Sequence, residues 1–201
     1  MSKCPQWLYR FLAFAVRGAL RVAHPVLRVE GREKLPEGAA VLCCNHSGMT
    51  DPIWVIAFGH LRCLPCTMAK KELFRFKPLA WFLRFVGGFP VDRGATDINA
   101  VKTSLQALKS GNKLLIFPEG TRVKKGMRVE AHSGALLIGS RMKAPIVPVY
   151  LSTKRRPFSA VRVIFGEPYF PEYAGAKPTN EELERRTAEL MDQIYRMGDR
   201  T

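Results

Sequence analysis

Short apolar runs alternate with amphipathic stretches along most of the chain. The apolar runs have the length of buried strands and lie at residues 26–31, 39–44, 113–117, 144–151 and 161–165, with a shorter strand-like piece at 87–91. The stretches between them have helical spacing and lie at residues 53–58, 98–108, 133–142 and 179–197. This order predicts an α/β fold in which a mixed, largely parallel sheet is flanked by helices. The 201 residues have the size of one domain.

Polar residues mark the ends of two of these helices. Asp97 can cap the helix that follows it, whose predicted inner face carries Ile98, Val101, Leu105 and Leu108, and Gly111 can end that helix. Thr179 and Glu182 have the spacing of a capping box. The closing helix behind them would bury five apolar residues, which are Leu183, Leu190, Met191, Ile194 and Met197.

Residues 1–26 form a distinct N-terminal segment ahead of the predicted domain at 27–201. At about 100° per residue, four arginines fall on one narrow face of a helix, and they are Arg10, Arg17, Arg21 and Arg28. Its longest uncharged run, 11–16, is far below the roughly 20 residues that span a bilayer. An apolar helix with an arginine stripe is typical of the membrane interface. An amphipathic helix packed on the protein's own core fits the same periodicity.

The balance of charge indicates an anionic partner. Lys and Arg number 32 against 17 Asp and Glu, which gives a formal charge of +15. Nucleic acid, an anionic membrane surface and a phosphorylated or CoA-type substrate all fit this charge. Nucleic acid is disfavoured because the aromatic residues cluster with long aliphatic ones and no nucleic-acid motif is present. Residues 68–85 mix cations with large aromatics, which suggests a second membrane-facing patch or the wall of an acyl-chain pocket.

The stretch 45–52 places polar residues at a strand-to-helix corner. Gly48 permits a tight reversal, and Asp51 followed by Pro52 suits a helix N-cap. The reversal can bring the Asp51 carboxylate to the ring of His46, which would orient the imidazole as a general base. A capping aspartate and an ordinary loop histidine explain the same octapeptide. No metal site is expected, because no second His or Cys lies here at ligand spacing.

Cysteine usage favours reduced thiols. The chain has five Cys, and the two in the apolar run at 39–44 are expected to be core thiols in a cytosolic setting. No role is assigned to Cys63 and Cys66.

Two further polar corners follow strand-like runs. Asp92 and Arg93 end one, and Glu119 and Arg122 lie beyond another. Ligands of open α/β sheets bind at the carboxyl ends of the strands, where these corners can converge with His46. A base beside two guanidinium groups suits chemistry on a phosphorylated alcohol.

Four blocks between Gly31 and Leu151 resemble the glycerolipid acyltransferases of the 1-acyl-glycerol-3-phosphate acyltransferase type. The block at 45–51 matches the HX4D motif of the family, that at 88–93 looks like its second block, that at 117–122 matches its third, and that at 147–149 is similar to its fourth. Four blocks in the right order are a strong signal.

The resemblance implies a reaction and a role for each site residue. His46, oriented by Asp51, would deprotonate the glycerol 2-hydroxyl of a lysophospholipid as that oxygen attacks acyl-CoA or an acyl carrier protein thioester, with no acyl-enzyme and no cofactor. Arg93 and Arg122 would hold the acceptor phosphate. Glu119 would position the glycerol or the loop, and the Gly120 and Thr121 amides would add donors. Such an enzyme would work as a peripheral protein on the cytoplasmic face of the membrane.

Two departures from the family pattern concern the acceptor. Many members have Ser where this chain has Gly48, and residues 131–134 replace a basic Phe-Lys-x-Gly element. Glycerol-3-phosphate or another lysophospholipid therefore stays open as the acceptor. Two other interpretations remain. One is a hydrolase that uses His46 to activate water, and the other is a membrane-binding member of the family without catalysis.

Overall fold

The protein forms one seven-stranded sheet with helices on both faces, as the alternating pattern predicts. The computed structural model describes residues 4–59, 61, 64–92, 97–123, 127, 129–175 and 177–199. The strands are β1 (Leu27–Glu30), β2 (Ala40–Cys44), β3 (Cys66–Lys70), β4 (Gly88–Val91), β5 (Lys113–Ile116), β6 (Ile146–Leu151) and β7 (Val161–Phe165). The helices are α1 (Gln6–Ala23), α2 (Asp51–Phe58), α3 (Lys77–Phe85), α4 (Ile98–Lys109), α5 (Gly134–Met142) and α6 (Asn180–Asp199).

The strand order places the functional corners along one edge. The order is β1-β7-β6-β2-β5-β3-β4, and every neighbouring pair is parallel except β6 with β7. The sheet is therefore mixed and largely parallel, as predicted. The carboxyl ends of β6, β2, β5, β3 and β4 share one edge, and this is where such sheets bind ligands.

The core lies on both faces of β2. Val41 and Cys43 pack into a cluster with residues of α4, α5 and α6, whereas Leu42 and Cys44 pack with residues of α2. This alternation follows from the two-residue period of a strand. Because β2 is covered on both sides, all five of its residues are buried, and its carboxyl end is held rigidly where the first corner begins.

Two predicted caps are confirmed, and one predicted helix face is only partly right. The Asp97 carboxylate accepts the Ala100 amide at 3.0 Å. Thr179 and Glu182 form a reciprocal capping box, and the five apolar residues predicted for the inner face of α6 are buried. In α4, Leu108 is buried and Leu105 packs against the core as predicted, but the other buried residues are the small Ala100, Ser104 and Ala107, and Ile98 is exposed.

Helix α1 packs on α2 along one stripe and leaves apolar residues exposed on its other face. Its contact with a membrane stays a prediction. Its inner stripe contains buried Tyr9 and Ala13, and the Tyr9 hydroxyl donates to the Ile56 carbonyl of α2 at 3.4 Å. Trp7, Phe11 and Phe14 lie on the opposite face and are exposed. The prediction that Arg28 extends the helical arginine stripe is wrong, since α1 ends at Ala23 and Arg28 lies in β1.

Candidate active site

The corner between β2 and α2 is attached to the neighbouring strand by Asn45. Its side-chain amide donates to the Leu151 carbonyl at 2.9 Å, and its side-chain oxygen accepts the Leu151 amide at 2.8 Å. Asn45 is buried. This pair of bonds continues the β2–β6 ladder by one step through a side chain, so that His46 begins from a fixed backbone position.

His46 and Asp51 form the pair that the sequence predicts. The Nδ1 atom of His46 lies 2.8 Å from Oδ2 of Asp51. The same oxygen accepts the amides of Ser47 at 2.7 Å and Gly48 at 2.8 Å. The prediction that Asp51 caps α2 is wrong, because the N-cap residue is Thr50. The carboxylate turns back to the loop amides and the imidazole instead of towards the helix.

The surroundings of Asp51 keep it ionised. Burial alone raises the pKa of Asp51, but the hydrogen bonds from His46, Gly48 and Ser47 and the charge of Arg155 together hold that pKa below its ordinary value. Since an ionised carboxylate only accepts hydrogen bonds, Nδ1 of His46 carries the proton. Among the described residues, Nε2 has no hydrogen-bond partner. It is therefore the nitrogen that can take a proton from a substrate.

Glu119 fixes the backbone of His46. One carboxylate oxygen accepts the His46 amide at 2.6 Å, and the other accepts the Tyr195 hydroxyl of α6. Glu119 is buried, and burial raises its pKa above the ordinary value against the opposing effect of these two hydrogen bonds. One oxygen thus bonds the His46 backbone and the other bonds α6. A contact of Glu119 with glycerol stays a prediction.

The predicted phosphate-binding loop is attached to His46 at both ends. Glu119 holds the His46 amide, and the Val123 amide donates to the His46 carbonyl at 2.7 Å. Residues 120–122 lie between these attachments, with Thr121 and Arg122 exposed. The Gly120 amide donates to the Phe117 carbonyl at 3.0 Å, so it can meet a phosphate only if this turn opens. The binding roles of Gly120, Thr121 and Arg122 stay predictions.

Glycine is required at position 120 for two reasons. Its φ of +61° is in the left-handed region, and a Cβ there would lie 2.7 Å from the ring of His132. The imidazole of His46 stacks on Phe117, with ring centroids 4.3 Å apart. The rings of His46 and His132 therefore both lie against residues of the third sequence block.

The second predicted corner is only partly described. Arg93 lies outside the described residues. Asp92, which directly follows β4, forms an ion pair with Lys71. Because β3 lies between β4 and β5, this corner is about 10 Å from the end of β5 across the sheet.

One residue at the corner was missed by sequence reasoning. The Arg155 guanidinium donates to Oδ1 of Asp51 and, at 3.1 Å, to Oγ of Ser47. It arrives from the segment after β6, which neighbours β2 in the sheet. The only signal in the sequence is a basic run at 154–156, which resembles any solvated surface segment.

Comparison with known proteins decides the family. Residues 26–152 match a family model described as Acyltransferase. The chain is 33% identical over 199 residues to a 1-acyl-sn-glycerol-3-phosphate acyltransferase of Bacillus subtilis, covering 96% of this chain and 98% of the relative. This chain belongs to the acyltransferase family. The histidine, aspartate and glutamate described above all lie inside the matched region, whereas Arg155 and Tyr195 lie beyond it.

Two further similarities agree with this acyltransferase assignment. A 1-acyl-sn-glycerol-3-phosphate acyltransferase of Streptococcus pneumoniae is 30% identical over 168 residues, covering 80% of this chain and 61% of that relative. The crystal structure of the 1-acyl-sn-glycerophosphate acyltransferase PlsC from Thermotoga maritima superposes with a TM-score of 0.74 at 21% identity. It covers 97% of this chain and 81% of that one. At this identity the structural match shows that the fold is shared.

The contact of Tyr195 with Glu119 gives a testable prediction for this acyltransferase. Tyr195→Phe removes the hydroxyl that donates to Glu119, and leaving this buried carboxylate with one partner fewer is expected to cost about 1–2 kcal/mol of unfolding free energy. Urea unfolding measures this cost. The matched control is Tyr173→Phe, because the buried Tyr173 hydroxyl has no hydrogen-bond partner among the described residues. An equal effect of the two substitutions would contradict the assigned contact.

Proposed function

We propose that this acyltransferase moves an acyl group from a thioester, either acyl-CoA or acyl carrier protein, to the 2-hydroxyl of 1-acyl-glycerol-3-phosphate. The product is phosphatidate, and the reaction uses neither an acyl-enzyme nor a cofactor. The observation that carries the proposal is the His46–Asp51 pair, whose Nε2 atom has no protein partner within the described part of the chain. The names of the relatives give the acceptor class.

The proposed step follows from the protonation states of this pair. Nε2 of His46 takes the proton of the glycerol hydroxyl as that oxygen forms a bond to the thioester carbonyl carbon. Asp51 stabilises the imidazolium that results. When the carbon–sulfur bond breaks, the imidazolium returns the proton to the leaving thiolate. The base ends neutral, so one thiol and one ester form in each turnover and no covalent intermediate is required.

The acceptor phosphate is assigned in this proposal to Arg122 and Arg93. Arg122 lies in the loop that is attached to His46 on both sides, and a guanidinium can hold a phosphate in two-point contact. Arg93 completes the site in the proposal, on the resemblance of its sequence block. The Thr121 amide is the neighbouring backbone donor. Together these groups would hold the acceptor phosphate while the 2-hydroxyl meets the imidazole.

We place the enzyme peripherally on the cytoplasmic face of an anionic membrane. Trp7 and Phe14 of α1 are 71% and 70% exposed, although the opposite face of that helix packs on α2. Trp81 and Phe82 of α3 are also exposed. No helix in the described residues is long and apolar enough to cross a bilayer. Exposed aromatic residues beside arginines suit insertion at the headgroup boundary.

The exposed face of α1 can be tested without removing the helix. The triple substitution Trp7→Ala, Phe11→Ala, Phe14→Ala leaves the stripe that packs on α2 intact. We expect it to weaken binding to vesicles of phosphatidylglycerol and phosphatidylcholine at least tenfold, because three exposed aromatic side chains are lost. Co-sedimentation measures the change. Phe170→Ala is the control, since Phe170 is exposed outside α1, and unchanged binding of the triple variant would remove α1 from the membrane contact.

The acceptor and donor are tested by one screen. Purified protein on vesicles is supplied with acyl-CoA or acyl carrier protein thioester, and with lysophosphatidate, glycerol-3-phosphate or lysophosphatidylcholine. We expect the highest kcat/KM with lysophosphatidate, and no acyl adduct in the intact mass of protein incubated with thioester alone. Preference for another acceptor would overturn the substrate assignment, and an acyl adduct that lysophosphatidate discharges would overturn direct transfer.

A further inference from the structure

Arg155 makes a buried contact with the catalytic pair from outside the sequence blocks of the family. Its Nη2 atom donates to Oδ1 of Asp51, and its Nη1 atom donates to Oγ of Ser47 and to the Ser152 carbonyl. The side chain of Arg155 is 8% exposed and that of Asp51 is fully buried. A guanidinium held by three acceptors at this depth is part of the site and not a solvated surface group.

The two oxygens of Asp51 have different partners. Oδ2 receives the His46 ring and the amides of Ser47 and Gly48. Among the described residues, Oδ1 is hydrogen-bonded by Arg155. The guanidinium therefore sets the rotation of the carboxylate about its bond to Cβ. That rotation in turn sets the direction in which Oδ2 meets the imidazole.

Gly48 provides the space for this contact. A Cβ at position 48 would lie 2.7 Å from Nη2 of Arg155 and 3.2 Å from Oδ1 of Asp51. Gly48 is not among the glycines with positive φ, so its conformation alone does not require glycine. The requirement comes from the guanidinium. Any residue larger than glycine at position 48 would crowd the place that the Arg155 guanidinium fills.

We propose that Arg155 is a positioning residue for the catalytic pair, and that Gly48 is present so that its guanidinium can hold Asp51 and offset part of its charge. This proposal rests on the proposed general-base role of His46. With a cation on Oδ1, Asp51 attracts a proton onto His46 less strongly. A guanidinium on Oδ1 therefore favours the neutral imidazole, which is the form that can act as a base.

Among the described residues, Arg155 is the cationic side chain that forms an ion pair with Asp51. Asp51 at the start of α2 and Glu119 after β5 are the acidic groups that bond His46 or its backbone. Tyr195 of α6 and His132 ahead of α5 are titratable groups that contact Glu119 and Gly120. Removal of Arg155 leaves two carboxyl groups close to the imidazole, and both favour its protonation.

The proposal is tested with Arg155→Met, Arg155→Lys, Gly48→Ala and the control Arg156→Met, whose side chain is exposed. Each full-length protein is assayed for thiol release with lysophosphatidate across pH 5 to 9. The ¹⁵N signals of the His46 ring are titrated in parallel, and they are identified by their loss in His46→Ala. Thermal unfolding of each variant gives the folded fraction under the assay conditions.

We expect Arg155→Met to lower kcat by about 10²-fold and to leave KM for lysophosphatidate little changed. Its acid limb and the His46 titration should both move to higher pH, because Asp51 loses its compensating cation. Gly48→Ala, which displaces the guanidinium without deleting it, should act in the same direction. Arg155→Lys should restore most of the pH profile but not kcat, because an ammonium lacks the two-pronged geometry. Arg156→Met should match wild type.

Three results would overturn the proposal. A raised KM with an unchanged His46 titration would show that Arg155 binds the acceptor phosphate. Activity that falls only in proportion to the folded fraction, with the titration unmoved, would show a structural role, and wild-type behaviour of Arg155→Met would show none. A wild-type protein that acylates no lysophosphatidate would instead overturn the proposed function. The His46 titration still decides the role of Arg155 in that case.

Discussion

We expect His46→Gln to lower kcat by about 10²–10⁴-fold, which is the usual contribution of a positioned general base. KM for lysophosphatidate should change little, because the assigned phosphate-binding groups are unaffected. The substitution leaves Asp51 bonded to Arg155 and to the amides of Ser47 and Gly48. The thermal unfolding midpoint should therefore stay near that of wild type. Steady-state kinetics on vesicles, with circular dichroism for the unfolding, measures both effects.

His132→Gln is the matched control for this substitution. His132 lies beside the same loop, with its ring against Gly120, but it is not hydrogen-bonded to Asp51. We expect it to keep most of kcat. A similar loss in the two variants would show that the loop tolerates no change of histidine and would contradict a specific role for His46.

Asp51→Asn is expected to lose both activity and stability. Four donors surround the carboxylate of Asp51, whereas an asparagine offers one oxygen and places an NH₂ group against at least one of them. The kcat should fall by about 10⁴-fold, as for other aspartates that orient a catalytic histidine. Because the buried guanidinium of Arg155 loses its counter-charge, unfolding free energy should fall by about 3 kcal/mol. Kinetics and urea unfolding check these values.

The pH dependence of this stability difference has a defined sign. The pKa of Asp51 is lowered in the folded protein, chiefly by His46 and the loop amides acting against burial. The contribution of Asp51 to the free energy of unfolding is therefore complete above its ordinary pKa of about 3.9. That contribution is lost as pH falls through the lower pKa that Asp51 has in the folded protein. The gap between wild type and Asp51→Asn should narrow as pH falls below about 4. A gap that stays unchanged below pH 4 would contradict the assignment.

The sequence was sufficient for six of the seven strands and for the His46–Asp51 pair, because these follow from local patterns. The uninterrupted apolar run at residues 39–44 predicts a buried strand, and β2 is buried throughout. His46 and Asp51 lie within one turn of chain, so a tight reversal brings them together. The parallel neighbours of β2 then explain why the Glu119 corner arrives at the same edge.

Long-range contacts at this edge could not be predicted. Arg155 lies 104 residues from Asp51 along the chain, and a basic run after a strand does not specify which carboxylate it meets. Tyr195 is 76 residues from Glu119. The apolar pattern of α6 gives no indication that the Tyr195 hydroxyl makes a contact. The capping error at Asp51 has a related cause. An aspartate before proline suits an N-cap. Here, however, the carboxylate of Asp51 bonds the guanidinium of Arg155 and the imidazole of His46.

The strand β3 was missed for a different reason. Cys66–Lys70 ends in exposed Lys70 and continues into a segment rich in cations and aromatics, so its polarity resembles that of a surface stretch. Its residues are nevertheless held between β5 and β4. The residues of β3 are covered by strands that lie far away in the sequence. The local periodicity of apolar residues carries no information about such neighbours.

Product analysis with wild type and His46→Gln tests whether His46 is the base of an acyl transfer. Purified protein is mixed with vesicles that contain lysophosphatidate and with a radiolabelled acyl thioester, and thiol, free fatty acid and phosphatidate are quantified together. We expect wild type to form thiol and phosphatidate in equal amounts with little fatty acid, and we expect His46→Gln to form neither at a comparable rate. Thiol matched by free fatty acid would show a hydrolase, and undiminished phosphatidate from His46→Gln would contradict His46 as the base.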